Sequence, residues 1–310
     1  MRSSSAKRHP GLGLALSLLS ALLFGLNAAS SKVVMAHGFE PSQMVLMRSF
    51  FTAALAFAFV AVQNPKNLRF TGREPSWLAL FGVVGVGLMQ WSYSNAVKLL
   101  PVGVALLIEY TCAAMVPLAS WLLFKQRIHR RIWLAVVLIL VGLAVVAQLG
   151  SAALNPTGIL FGFMAAIFLS SYFLVGERIQ RTRDTMSTLA YSMLFAGLLW
   201  LVLGAGNGLD LGKAQDTVSL TGNFNSIQVP LWSLMLFIGV MGTFVPMWLS
   251  YRALYHLSPT TAGITATAET IFAFAFGWLW LGENIGGLEA LGALLVIGGI
   301  LIAQTSRIGE

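Results

Sequence analysis

Polar residues are so sparse along this chain that they punctuate it. Between them lie ten apolar stretches, at about 11–34, 43–62, 76–97, 102–124, 131–148, 156–177, 186–204, 230–254, 260–281 and 286–304, each within the roughly 17 to 25 residues that a membrane-spanning helix needs. The pattern predicts an all-α integral membrane protein of ten transmembrane helices, numbered 1 to 10 in chain order. One long polar connection, from about Gly206 to Val229, separates helices 7 and 8. Helix 1 carries Ser17, Ser20, Phe24, Asn27 and Ser31 at alternating spacings of three and four, a small and polar stripe on one helical face. Such a stripe packs against other helices or lines a pore.

Composition supports the bilayer as solvent. The 310 residues are 57% hydrophobic and only 10% charged, with mean hydropathy +0.80, whereas a soluble chain carries about a quarter charged residues. The apolar run that follows the basic N-terminus has the outline of a signal peptide. It is read as helix 1 instead, because it has a counterpart later in the chain.

That counterpart belongs to an internal repeat. Trp91 matches Trp248, Gly82 matches Gly239, Gly85 matches Gly242, Trp121 matches Trp278 and Gly142 matches Gly299, all at an offset of 157 without a gap. Earlier parts of the halves match at 145, as in Gly13 with Gly158 and Phe50 with Phe195. The difference of 12 residues fits the long polar loop. The expected division is 1–150 and 151–310, five helices each. An odd number makes the second half enter from the opposite face, so the repeats are inverted, an arrangement that in transporters puts the substrate site near the midplane between the halves.

Net charge of +8 would suggest nucleic acid, but the placement of the basic residues excludes that reading. With the N-terminus inside, fifteen of the 19 Lys and Arg fall in the termini and in or beside the loops after helices 2, 4, 6 and 8; only Lys32, Lys98 and Lys213 fall on the other side, and Arg48 lies within helix 2. The positive-inside rule then puts both termini in the cytoplasm. Trp77, Trp121 and Trp133 near one set of helix ends, and Trp200, Trp232, Trp278 and Trp280 near the other, form an aromatic belt.

Two carboxylates stand where charge is expensive. Glu109 lies in ALLIEYTCAAMVPLASWLLFKQ (Ala105 to Gln126) and Glu269 in ATAETIFAFAFGWLWLGE (Ala266 to Glu283). A charge at that depth costs roughly 2.5 to 3.5 kcal/mol on insertion scales. In the repeat frame Glu109 maps to Ala266 and Cys112 to Glu269, so the two are a turn apart and not equivalent. They line a translocation path, binding a substrate amine or a proton, or they hold helices 4 and 9 by hydrogen bonds. Gln90 and Ser94 share a face at i, i+4, and with Tyr172, Asn27 and Trp248 they complete the expected substrate-binding or translocation set. Arg48 ranks below them, since it lies close enough to a helix end to snorkel.

The closing motifs of the halves, WLLFKQ then LVGLAVVA and WLWLGE then LEALGALLVIGGILIA, resemble the EamA type of the drug/metabolite transporter superfamily, over nearly the whole chain. The likeness is most specific in AETIFAFAFGWLWLGEN. Thr270 stands where a Pro often follows that Glu, and Lys125 and Gln126 replace Gly-Glu in the first half. The resemblance implies a ten-helix bundle in which helices 1, 3, 4, 6, 8 and 9 surround a central cavity, with 5 and 10 peripheral. It also implies small metabolites as cargo and, through general likeness, the aromatic amino-acid exporter branch.

The function expected is therefore a secondary transporter of small metabolites, an amino-acid exporter in a bacterial inner membrane, working by alternating access. A channel-like facilitator, or a multidrug or nucleoside exporter on the same fold, is the alternative. An enzyme is disfavoured: Asp184, Asp210 and Asp216 all lie in loops, and His9, His37, His129 and His256 are scattered at helix ends or termini. That spacing offers neither a metal cluster nor a Ser-His pair, and there is no phosphate-cradling loop followed by Lys. Cys112 alone makes no disulfide. No cofactor and no metal is expected; the partners are a small-molecule substrate, the lipid bilayer and a proton.

Overall fold

The computed structural model describes residues 9–70, 72, 74–112, 114–115, 130–149, 154–180, 183–208, 211–257 and 265–305. A helix stands at each of the ten expected positions. They are α1 (Pro10–Ala36), α2 (Pro41–Gln63), α3 (Glu74–Leu80, Phe81–Leu88 and Met89–Leu99, end to end), α4 (Val102–Glu109) and α5 (Arg130–Leu149). The second half gives α6 (Pro156–Gln180), α7 (Thr185–Val202), α8 (Leu231–Gly239, Val240–Phe244 and Val245–His256, end to end), α9 (Ala268–Leu279) and α10 (Gly287–Thr305). Among the described residues, α1, α2, α7 and Leu231–Ser250 of α8 are each long and apolar enough to cross a membrane without a break. Trp121, Lys125, Gln126 and His129, which entered the sequence reading, lie outside the described residues.

Local chemistry accounts for several starts. Pro occupies the first turn of α1 and α2, where its missing N–H costs nothing. Glu40 and Gln43 form a reciprocal capping box on α2, and the Asp184 side chain accepts the Ser187 N–H to cap α7.

The outer surface is apolar. Leu140, Leu160, Ile167, Ile271 and Leu294 are each more than half exposed, as suits lipid-facing positions. The interior is rich in small and polar side chains. The stripe on α1 is buried at Ser17, Ser20, Asn27 and Ser31, and it binds other helices: Ser17 shares a hydrogen bond with Thr265, and Ser20 donates to the Pro246 carbonyl at 2.7 Å and pairs with Ser250 at 2.9 Å.

Packing repeats between the halves, contact by contact. Gly13 of α1 lies against His256 and Leu257, and Gly158 of α6 lies against Leu99 and Leu100. Gly242 of α8 abuts Asn27, and Gly85 of α3 abuts Tyr172. Gly142 of α5 meets Gly292 and Val296, and Gly299 of α10 meets Ala135 and Ile139. Every member of one contact maps to its counterpart by the 145 or 157 offset seen in the sequence. The halves are therefore two inverted five-helix repeats. Contacts join α1 to α8 and α9, α3 and α4 to α6, and α4 to α9, so that these six helices make the interior. Helices α5 and α10 pack chiefly on each other, as do α2 and α7.

Two features were not expected. Phe81–Leu88 of α3 and Val240–Phe244 of α8 are π-helical, and under the 157 offset the second lies within the image of the first. Extra residues of this kind are inserted into helices frequently at functional sites. The loop after α7 also holds a two-stranded antiparallel hairpin, Thr217–Ser219 with Gln228–Pro230. Its tip seals the end of α9: the Asn223 backbone N–H donates to the Trp280 carbonyl at 2.8 Å, and its side-chain amide reaches the Trp278 and Leu279 carbonyls. Gly222, at φ 55°, packs onto Trp280 and Leu281, where a side chain would collide.

Candidate functional site

Helices α4 and α9 are interrupted at one position of the repeat. After Glu109 the chain turns at Tyr110 and Thr111 before helical geometry returns at Cys112; in the second half Thr267 is a turn between Ala266 and Ala268. Tyr110 and Thr267 are 157 residues apart, the repeat offset. In α4 the Thr111 hydroxyl donates to the Ile108 carbonyl at 2.7 Å, a side-chain competitor for the helical ladder. In α9 the Thr270 N–H reaches only three residues back, to Thr267. Glu109 thus ends one half-helix and Glu269 lies in the first turn of another. Half-helix ends inside a membrane leave backbone dipoles to face a ligand or ion.

The polar groups around these breaks converge from four helices. Tyr110 Oη donates to Glu269 Oε2 at 2.7 Å. Arg48 Nε, from α2, donates to Gln90 Oε1, on α3, at 2.6 Å. Arg48 and Glu109 are each 6% exposed, Gln90 4% and Tyr93 8%, so the group sits in protein and not at an interface. Arg48 lies within electrostatic reach of Glu109 and Tyr93, and Glu109 within reach of Glu269. Charges left in such surroundings need partners. Among the described residues, however, Glu109 accepts no hydrogen bond and Arg48 donates only through Nε. The hydroxyl of Thr270, next to Glu269, is likewise buried without a partner among the described residues.

Of the residues expected from the sequence, Gln90, Glu109 and Glu269 meet here, and Ser94 is buried one turn beyond Gln90. Asn27 and Tyr172 each lie against a glycine of a π-helical segment, in equivalent places of the two halves. Tyr172 also stacks on Phe81, with ring centroids 4.9 Å apart. Trp248 lies under the Arg252 guanidinium, which is 5.5 Å from its ring centre. Arg48 does not snorkel; burial and the Gln90 bond hold it inside. Tyr110 was missed, because a Tyr beside a Glu in an apolar run reads as packing. An apolar groove of about 390 Å³, lined by Leu55, Ala58, Phe59, Val62, Gln63 and Phe244, shares no residue with this group and opens between α2 and α8.

Ion pairs fasten the ends of the bundle. At one end, Lys32 Nζ pairs with Glu283 Oε1 at 2.6 Å and donates to the Leu100 carbonyl at 2.8 Å, while Glu283 Oε2 accepts the Val102 N–H at 3.0 Å. This ties α1 and the start of α4 to the segment after α9. At the other end, Arg183 pairs with Glu74 at 3.0 Å and donates to the carbonyls of Asn67 and Arg69, and Tyr191 donates to the Leu68 carbonyl.

The model of the EamA-like transporter family matches residues 11–148 and again 156–305. This chain belongs to that family. The EamA-like chain is 28% identical over 247 residues to the threonine/homoserine exporter RhtA of Escherichia coli (strain K12), covering 79% of this chain and 75% of the relative. It is 22% identical to the transporter YdfC of Bacillus subtilis (strain 168), over 90% and 87% of the two chains. A transporter of Helicobacter pylori (strain ATCC 700392 / 26695) is 24% identical over 96% of both. One solved crystal structure is similar over 96% of this chain and 98% of that one, with a TM-score of 0.63 and 18% identity, a likeness of fold alone. As an EamA-like transporter the protein is a multi-pass membrane protein that moves a small molecule, and it is not an enzyme.

Proposed function

We propose that this protein exports amino acids across a bacterial inner membrane by alternating access of its two halves, 1–150 and 151–310. The observation that carries the reading is the pair of carboxylates, Glu109 buried and Glu269 partly buried, at equivalent breaks of α4 and α9, where the inverted halves meet. Glu269 and Glu109 accept the substrate ammonium, or a proton when the site is empty of cargo. Tyr110 holds Glu269 in place between cycles. Gln90, Ser94, Tyr172, Asn27 and Trp248 belong to the surrounding path, the first two nearest the carboxylates. The cargo named for RhtA, threonine and homoserine, favours small hydroxylated amino acids over the aromatic ones implied by the family resemblance. Both termini face the cytoplasm, from the asymmetry of Lys and Arg.

Glu269→Gln tests the reading, since it keeps shape and hydrogen bonding while removing charge. Purified into liposomes, the variant should fold with an unchanged melting temperature yet lose most uptake of labelled L-threonine, with Glu109→Gln milder. Wild-type rates in both variants would make the carboxylates structural. Counterflow separates a carrier from a channel, because preloaded L-threonine should accelerate entry of the labelled amino acid only in a carrier. A panel that moves nucleosides or cationic drugs but no amino acid would replace the cargo with the multidrug or nucleoside alternative.

A further inference from the structure

We infer that Arg48 is the carboxylate anchor of the transport site, so that the cargo must carry both a free carboxylate and a free ammonium group. The inference rests on the proposed function and narrows it from amines in general to zwitterions. Arg48 is 6% exposed, and its Nε is taken by Gln90 Oε1 at 2.6 Å. That bond fixes the guanidinium plane while leaving Nη1 and Nη2 without a hydrogen-bond partner among the described residues. Two parallel Nη–H donors fit a carboxylate bidentately. Lys could not offer this fork.

The groups opposite make the other half of the case. Glu109 is also 6% exposed and accepts no hydrogen bond among the described residues, and it attracts Arg48 without forming an ion pair with it. A guanidinium with two spare donors and a carboxylate with spare acceptors therefore face the same interior and stay apart. If their purpose were only to neutralise one another, direct contact would be the less costly arrangement. An α-amino acid completes both, its carboxylate on Arg48 and its ammonium on Glu109 and Glu269. The side chain of the cargo takes no part in this, so the recognition reads the amino-acid backbone.

The experiment compares L-threonine with L-threoninol, which keeps the ammonium and side chain and lacks the carboxylate, as competitors of labelled L-threonine in proteoliposomes. A hydrogen-bonded charge pair is worth about 1.5–3 kcal/mol, or roughly 10- to 150-fold in affinity. Wild-type protein should therefore prefer L-threonine by that factor. Arg48→Gln should erase the preference by weakening L-threonine and leaving L-threoninol unchanged, whereas Glu269→Gln should weaken both. Arg48→Lys should recover part of the loss and, with melting temperature, reports whether the fold survives. An unaltered preference in Arg48→Gln, or equal weakening of both ligands in a variant that melts normally, overturns the anchor while leaving amino-acid export standing. Transport of neither ligand by the wild type overturns the export reading itself.

Discussion

Substituting Lys32 by Met should loosen one end of the transporter by an amount that follows from three bonds. The side chain keeps its apolar stem but loses the 2.6 Å ion pair to Glu283 and the 2.8 Å bond to the Leu100 carbonyl; Glu283 keeps only its 3.0 Å bond from the Val102 N–H. Buried, such charge-assisted bonds are worth about 1.5–3 kcal/mol each; fully exposed pairs are worth about 0–1. The side chains here are 27% and 16% exposed, which places the loss between these limits. A total of about 1–3 kcal/mol shifts the closed-to-open ratio at this end by roughly 5- to 150-fold. Val102 reports the shift, because its side chain is fully buried while its N–H is held by Glu283. In a Cys112→Ser background, Val102→Cys should react with an impermeant maleimide at least several-fold faster once Lys32 is Met. Raising salt should speed the reference protein slightly and the Lys32→Met variant not at all. A labelling rate that does not respond to Lys32→Met would refute the assignment of these bonds as a closure.

The packing symmetry makes a paired stability prediction. A Cβ at Gly142 would lie 2.7 Å from the Gly292 carbonyl oxygen, and one at Gly299 would lie 2.9 Å from that of Ala135. Gly142→Ala and Gly299→Ala should each cost about 1–3 kcal/mol by overpacking, seen as lowered melting temperatures in detergent, while Gly298→Ala, with open space around it, should melt as wild type. Orientation is checked by cysteine labelling of intact cells in the Cys112→Ser background. A cysteine at Asn225, exposed in the hairpin loop, should react with an impermeant reagent and one at His129 should not. Equal reactivity would reverse or abolish the proposed topology.

The parts legible in the sequence share one physical origin: they are properties of position along a single helix or of the bilayer as solvent. Ten apolar runs, the basic asymmetry and the cost of a charge at Glu109 and Glu269 all follow from burying peptide bonds and charges in hydrocarbon, which constrains each segment alone. The repeat was legible too, because inversion preserves spacing, and the glycines that matched by offset turned out to be contact points between helices. Where one helix meets another was decided only by tertiary structure. Arg48, near the start of α2, has the local pattern of a snorkelling residue; its burial depends on Gln90, 42 residues later, arriving beside it. Tyr110 looks like core until α9 brings Glu269 within 2.7 Å of its hydroxyl. The breaks at Tyr110 and Thr267 carry neither Pro nor Gly, so local propensity does not announce them. The π-helical segments do hold glycines, Gly82, Gly85, Gly87 and Gly242, but along the sequence these read as close-packing positions and not as an inserted residue. The hairpin strands are three residues each, too short to show a period of two, and their place is set by the α9 carbonyls they cover. A site assembled from four helices has no signature along any one of them.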